Sequence, residues 1–323
     1  MKSTEMAMEM TGHRHPIKHS ILLQFPEGLK KDALRYVKAY EKKGYRVYVS
    51  SEPSYGGCDI PIHDAKVLGC KKIVHFGHTK FCDIDEKGIE IEYVPVYLED
   101  VDVEGIMRKA VMALDKYKHV GIVTNISHAR LVGRIKKVLI EHGKVPLTAK
   151  GSRRCPCEAQ ILGCDITALE KISKRVDCII YFGGGTFHAL APGALDENYS
   201  LPTLWVDPFS RKVEWITEKI QKVQRQRRVA LAKALNANVY GILVSTKVGQ
   251  YNLPLAVKAK ECIERQGKKA LIVVGNTFDF TTISNFSGIE AFLNTACPRI
   301  VDDQNKLSVP IVNAIEFLKF FTK

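Results

Sequence analysis

Four short apolar runs, separated by longer charged and amphipathic stretches, occur three times in succession along this chain, and that rhythm restricts the fold more than any other feature. The runs lie near 20–25, 45–51, 72–77 and 91–97, then 119–125, 145–149, 178–183 and 202–206, then 240–246, 270–275, 291–296 and 309–313. Runs of this kind, rich in Val and Ile, are read as parallel strands joined by crossover helices. Helices fit between them at 29–43, 103–116, 128–142, 166–175, 211–235 and 252–266. Spacing supports a repeat: HSILLQFPEGL at 19–29 pairs with HVGIVTNISHA at 119–129, and KKIVHFGHTKF at 71–81 with DCIIYFGGGTF at 177–187. The third set opens with NVYGILVST at 238–246. The expectation is an α/β protein of three related domains, each a four-stranded parallel sheet flanked by helices, around a pseudo-threefold axis. The divisions are a tail over 1–16 and domains over 17–116, 117–214 and 215–323.

Composition narrows the function classes. Of the 323 residues 46% are hydrophobic and 26% charged, enough for a packed core. No stretch approaches the roughly 18 uncharged apolar residues of a membrane span. The amino terminus carries Glu5 and Glu9 and lacks an apolar segment, so it does not read as a secretory signal. A reducing, cytoplasmic setting follows, and a disulfide framework is not expected. The net charge of +13 suits an anionic partner. An Arg-rich tail, basic–aromatic interleaving and zinc-finger spacing are all missing, so direct nucleic-acid binding is not expected.

Nine cysteines are many for such a chain. In open α/β sheets ligands gather at the carboxyl ends of strands. There, after the second strand of the first two sets, stand Gly57-Cys58-Asp59 and Gly163-Cys164-Asp165. Each cysteine precedes its Phe-Gly strand end, at Phe76 and Phe182, by 18 residues. The third set offers Ala296-Cys297-Pro298-Arg299 after its third strand. Each repeat thus presents one loop cysteine at its ligand-binding edge. Structural zinc prefers four ligands at short spacing, which these lack. A four-iron cluster held by three thiolates keeps one iron open for a substrate or cofactor. Cys70, Cys178 and Cys262 read as core, and Cys82 as a loop residue of open role. Cys155-Pro156-Cys157, whose thiols Arg153 and Arg154 would acidify, reads as a surface loop, with a redox pair or spare ligands as the alternative.

Other features sit at the same edges. Gly183-Gly184-Gly185-Thr186-Phe187-His188 follows a strand, where glycines let a backbone approach a ligand, but its spacing is not the dinucleotide fingerprint. Lys247 in Ser245-Thr246-Lys247-Val248-Gly249-Gln250 could pair with a carboxylate. Asp302 and Asp303 read as turn caps. Residues 211–235 read as one basic amphipathic helix, with Trp215, Ile216, Ile220 and Val223 on its apolar stripe and Lys219, Lys222, Arg225 and Arg228 on a mostly solvated face.

Taken together, the Gly-Gly-Cys-Asp, Leu-Gly-Cys-Asp, Ala-Cys-Pro-Arg, Gly-Gly-Gly-Thr-Phe-His and Lys-Val-Gly-Gln segments resemble those of the diphthamide synthase family, in its archaeal homodimeric form. The resemblance spans about 17–323. It implies a [4Fe–4S] cluster held by Cys58, Cys164 and Cys297, and S-adenosylmethionine as second cofactor without the usual Cys-x-x-x-Cys-x-x-Cys motif. It implies cleavage of the bond from sulfur to the methionine γ-carbon. The resulting 3-amino-3-carboxypropyl radical would add to carbon 2 of a histidine in translation elongation factor 2, the first step of diphthamide synthesis. An electron donor and a homodimer are implied as partners. Gly183, Gly184, Gly185, His188, Lys247 and Gln250 are expected to line the cofactor pocket. Two alternatives stay open: a quinolinate-synthase-like dehydratase of the same architecture, and a non-catalytic cluster-binding subunit.

Overall fold

A computed structural model of the chain describes residues 19–321; the tail expected over 1–16 lies outside the described residues. The first sheet comprises β1 (Ser20–Gln24), β2 (Arg46–Val49), β3 (Lys72–Phe76) and β4 (Glu90–Val94), in the order β2-β1-β3-β4. The second comprises β5 (His119–Thr124), β6 (Val145–Leu147), β7 (Cys178–Phe182), β8 (Thr203–Asp207) and β9 (Lys212–Trp215), in the order β6-β5-β7-β8-β9. The third comprises β10 (Val239–Ser245), β11 (Lys269–Gly275), β12 (Ala291–Asn294) and β13 (Ile311–Asn313), in the order β11-β10-β12-β13. All pairings are parallel except β8 with β9. In each sheet the chain steps to one side of its first strand and then crosses to the other. That order reverses direction between the first and third strands, and the loops leaving their carboxyl ends part there.

The second sheet departs from the expected four parallel strands. β9 adds a fifth, antiparallel strand where a helix starting at 211 was expected. Asp207 ends β8, accepts the N–H of Phe209 at 2.9 Å and the Ser210 hydroxyl at 2.8 Å, and so closes a hairpin turn. Arg211 completes the reversal with φ +55°. Lys212 pairs with Asp207 and Trp215 with Leu204, so the helix begins only at Thr217.

Two compact units divide the chain. One holds the first sheet, with the described residues up to Gly56, Ile60–Gly77 and Asp83–Val94; the other holds Gly57–Asp59, His78–Cys82 and everything from Pro95 on. In the first unit helix α1 (Ala33–Glu41) covers one face, where the Phe25 and Phe76 rings stack at 4.5 Å beside Tyr36. Leu22, Ile60, Ala65, Cys70 and Ile73 fill the other face.

In the second unit helices α2 (Val103–Ala113) and α3 (Val132–Glu141) bury Ile106, Met107, Ile135 and Leu139 against Ile122, Ile180 and Phe182. The opposite face packs Ile161, Leu169 and Ile172 with Tyr181 and Ile220. Helices α4 (Thr217–Leu235), α5 (Leu253–Glu264) and α6 (Ala314–Phe321) cover one face of the third sheet. Each fully buried side chain of this kind contributes roughly 1.5–3 kcal/mol. This packing fixes the strand ends from which the loops project.

Candidate functional site

The loop after β2 presents Cys58, and the turn after β10 grips it. Lys247, its N–H on Ser245 Oγ at 3.2 Å, directs its ammonium to Asp59 Oδ2 at 2.6 Å. That ion pair is buried, with side-chain exposures of 7% and 11%. Gly249 donates its N–H to the Cys58 carbonyl at 3.0 Å. Gly249 has to be glycine because a Cβ there would stand 2.5 Å from Cys58 Cα. Gln250 Nε2 donates to Cys58 Sγ at 3.4 Å. Three consecutive contacts thus hold the loop by its backbone, its aspartate and its sulfur.

Cys164 sits in a two-residue reversal in which Leu162 and Asp165 exchange backbone hydrogen bonds of 2.8 and 3.3 Å. Asp165 anchors the turn, accepting from Ser152 Oγ at 2.6 Å and from Thr167 Oγ1 at 2.6 Å. The aspartate that follows each of the first two cysteines is therefore a loop anchor. Arg299, two residues beyond Cys297, donates to the Phe187 carbonyl at 2.7 Å and to the Gly163 carbonyl at 3.3 Å. Its guanidinium lies 4.2 Å from the centre of the Phe187 ring and pairs with Asp302. Asn294 Nδ2 holds the Cys297 carbonyl at 2.8 Å and Asn313 Oδ1 at 2.9 Å. From α4, Arg227 reaches the Pro298 carbonyl at 3.0 Å and Asp302 at 2.7 Å. One buried arginine therefore ties the third cysteine loop to the second, and another braces it from behind.

The three thiols lie within electrostatic reach of one another. Burial pushes the Cys58 thiol up to about 11; the Cys297 and Asp59 charges add to the shift and the Gln250 N–H opposes it. Burial, then the Cys297 and Cys58 charges, pushes Cys164 up to about 12. Cys297 is also raised by burial, against the N–H and the charge of Arg299. Three half-buried sulfurs that disfavour one another's charge stay protonated alone and ionise onto a cation. Among the described residues no group of three His, Cys, Asp or Glu side chains is gathered tightly enough for a single metal ion. A polynuclear iron–sulfur core places each thiolate on its own iron and tolerates the wider spacing. The donor set is all thiol, so the residues present fit such a core.

Of the other expected site residues, Lys247 and Gln250 stand at Cys58, as described. His188 is held neutral: burial, with the Arg299 and His78 charges, pushes its imidazole down to about 4. Gly183 and Gly185 leave β7 with φ +155° and +71°, and the Gly183 carbonyl accepts from Trp205 Nε1 at 2.9 Å. These glycines meet the cysteine loops through Phe187, whose ring leaves no room for a Cβ on Gly163. Asp302, read as a turn cap, is the shared carboxylate of Arg227 and Arg299. Cys155 departs from its reading. It is fully buried, and that burial raises its thiol despite Arg154. Sequence reasoning missed the roles of Arg227 and Arg299. Only the position of Arg299 beside a loop cysteine pointed to one.

Three mainly parallel α/β sheets, with cysteines on strand-end loops that act on one another's charge, define the class of fold and site. Residues 25–323 match the diphthamide synthesis protein family, and the chain belongs to that family. It is 26% identical over 299 residues to the 2-(3-amino-3-carboxypropyl)histidine synthase of Pyrococcus horikoshii, covering 92% of this chain and 84% of that protein. It is 27% identical to subunit 1 of the Eremothecium gossypii 2-(3-amino-3-carboxypropyl)histidine synthase, covering 88% of this chain and 66% of that subunit. The crystal structure of Pyrococcus horikoshii Dph2 with a 4Fe-4S cluster superposes with a TM-score of 0.81 at 25% identity, covering 99% of this chain and 90% of that one.

Proposed function

We propose that this chain is a transferase that moves the 3-amino-3-carboxypropyl group of S-adenosylmethionine to carbon 2 of a histidine in translation elongation factor 2, the first step of diphthamide synthesis. The reading is supported by the mutual charge effects among Cys58, Cys164 and Cys297, in which Cys297 disfavours ionisation of both other thiols. These three side chains would hold a [4Fe–4S] cluster as thiolates. When bound, the cluster supplies the electron that breaks the sulfur–γ-carbon bond and an iron without a protein ligand to meet the cofactor. The chain's own work is to orient and to exclude water. Gly183, Gly184 and Gly185 give the cofactor close access to backbone, and His188 offers a neutral imidazole. Lys247 is the cation for the cofactor carboxylate, steadied beforehand by Asp59. The buried Arg299 keeps two cysteine loops in register.

The rest of the reading is a cytoplasmic homodimer served by an electron donor, with domains dividing near 116 and 214. Among the described residues no helix is long and apolar enough to cross a membrane. The test is anaerobic turnover of the reduced, cluster-loaded chain with S-adenosylmethionine and elongation factor 2. Methylthioadenosine and a modified histidine are expected. Absence of methylthioadenosine would favour the dehydratase reading; its appearance only with a second chain present would favour the non-catalytic subunit.

A further inference from the structure

The hydrogen bonds to the cysteine sulfurs are unequal. Cys58 Sγ accepts a side-chain N–H from Gln250 at 3.4 Å, within the range for a sulfur acceptor. Cys297 receives a backbone N–H from Arg299, whereas burial and the charges of Cys297 and Cys58 lead the effects on Cys164. A backbone donor is common to any tight cysteine loop. A side-chain amide aimed at one sulfur is a residue choice that substitution can remove.

The placement of that amide is built rather than incidental. Gln250 closes the turn after β10 with its N–H on the Lys247 carbonyl at 2.9 Å. The same turn pins Cys58 through Gly249 and Asp59 through Lys247, so the distance from amide to sulfur is set by two further contacts. An N–H donated to a thiolate draws electron density from the sulfur. It strengthens as the metal core gains an electron, because the added negative charge spreads onto the ligands. A donor therefore favours the reduced state, and its loss favours the oxidised one.

We propose that Gln250 is a positioning residue that sets the reduction potential of the cluster through its hydrogen bond to Cys58 Sγ, making electron uptake easier. The inference rests on the functional reading above, because it presupposes a cluster on Cys58. It assigns to Gln250 a task apart from contact with S-adenosylmethionine.

The test is a redox titration of the anaerobically loaded protein without S-adenosylmethionine, followed by visible absorption and by the electron paramagnetic resonance of the reduced cluster. In Gln250→Leu the equilibrium constant for reduction should fall about fivefold, the worth of one modest hydrogen bond. For one electron that is about 40 mV toward more negative potential, at 59 mV per tenfold. Iron and sulfide content should match the parent protein. Gln250→Asn keeps an amide but shortens it by one methylene, and should show the same direction. An unchanged potential in a fully loaded Gln250→Leu protein overturns the inference and leaves the functional reading intact. Loss of the cluster in both variants also overturns it, assigning Gln250 to holding the ligand loop instead. A parent protein that takes up no cluster overturns the functional reading itself.

Discussion

Gly249→Ala asks whether the grip on the Cys58 loop is as tight as the structure shows. The added methyl would stand 2.5 Å from Cys58 Cα, 2.6 Å from its Cβ and 2.8 Å from its carbonyl oxygen. Favourable carbon–carbon separations are about 3.5–4.0 Å, so one side must yield by about 1 Å. All three obstructing atoms belong to the backbone or the first side-chain carbon of the ligand residue, so no rotamer change relieves the clash. Gly249 is outside the left-handed region, so alanine is permitted by backbone conformation and the effect isolates the contact. The strain should cost about 1–3 kcal/mol, as overpacking does. Displacement of Cys58 should also break the 3.0 Å bond from Gly249 to its carbonyl and the 3.4 Å bond from Gln250 to its sulfur. Chemical denaturation of the metal-free protein measures the stability loss, and iron and sulfide analysis after anaerobic loading measures the ligand loss. Gly133 in α3, where a Cβ would meet nothing within 4 Å, is the control. Gly133→Ala should gain about 0.4–1 kcal/mol with full iron content. A Gly249→Ala protein as stable as its parent and fully loaded would refute the reasoning.

Asp59→Asn should cost about 1.5–3 kcal/mol, because it removes the charge from one side of the buried Asp59–Lys247 hydrogen bond; combining it with Lys247→Met in a double-mutant cycle should show that the two losses are not additive. Arg299→Lys should cost about 1–3 kcal/mol and lower cluster content, because a single ammonium cannot serve Gly163, Phe187 and Asp302 together; thermal unfolding and iron analysis check this. Burial pushes His128 down to about 4, partly offset by Asp207, and leaves its Nε2 without a partner. The unfolded imidazole titrates near 6.5, so the unfolded chain binds the extra proton between these values and stability rises with pH from about 4 to 6.5. The contribution, roughly 3 kcal/mol, is complete above pH 6.5 and lost as pH falls to about 4. Denaturation of His128→Leu across that window should show a flatter pH dependence than the parent protein.

The strands were legible because burial on both faces of a parallel sheet demands continuous apolar runs such as CIIYF at 178–182 and LWV at 204–206. β9 was not legible. Lys212-Val213-Glu214-Trp215 alternates with the period of a strand but is only four residues long and runs almost directly into a true helix. The turn chemistry of Asp207, one residue past the strand expected at 202–206, decides between them. The cysteine loops could be read from their equivalent places in the repeats. Their tethers could not, because Asp59 to Lys247 and Arg299 to Gly163 join residues more than a hundred positions apart. Cys155 was not legible, because the arginines beside it in the chain are visible in the sequence and the burial that outweighs Arg154 is not.

Iron and sulfide analysis of the anaerobically isolated chain, with Cys58, Cys164 and Cys297 each replaced by alanine, is the most direct trial of the thiol centre. The parent should carry about four irons and about four sulfides. Each of the three variants should lose most of both, while Cys70→Ala and Cys262→Ala keep them. A parent chain without iron, or full retention of the cluster when any one of the three is replaced, would contradict the account.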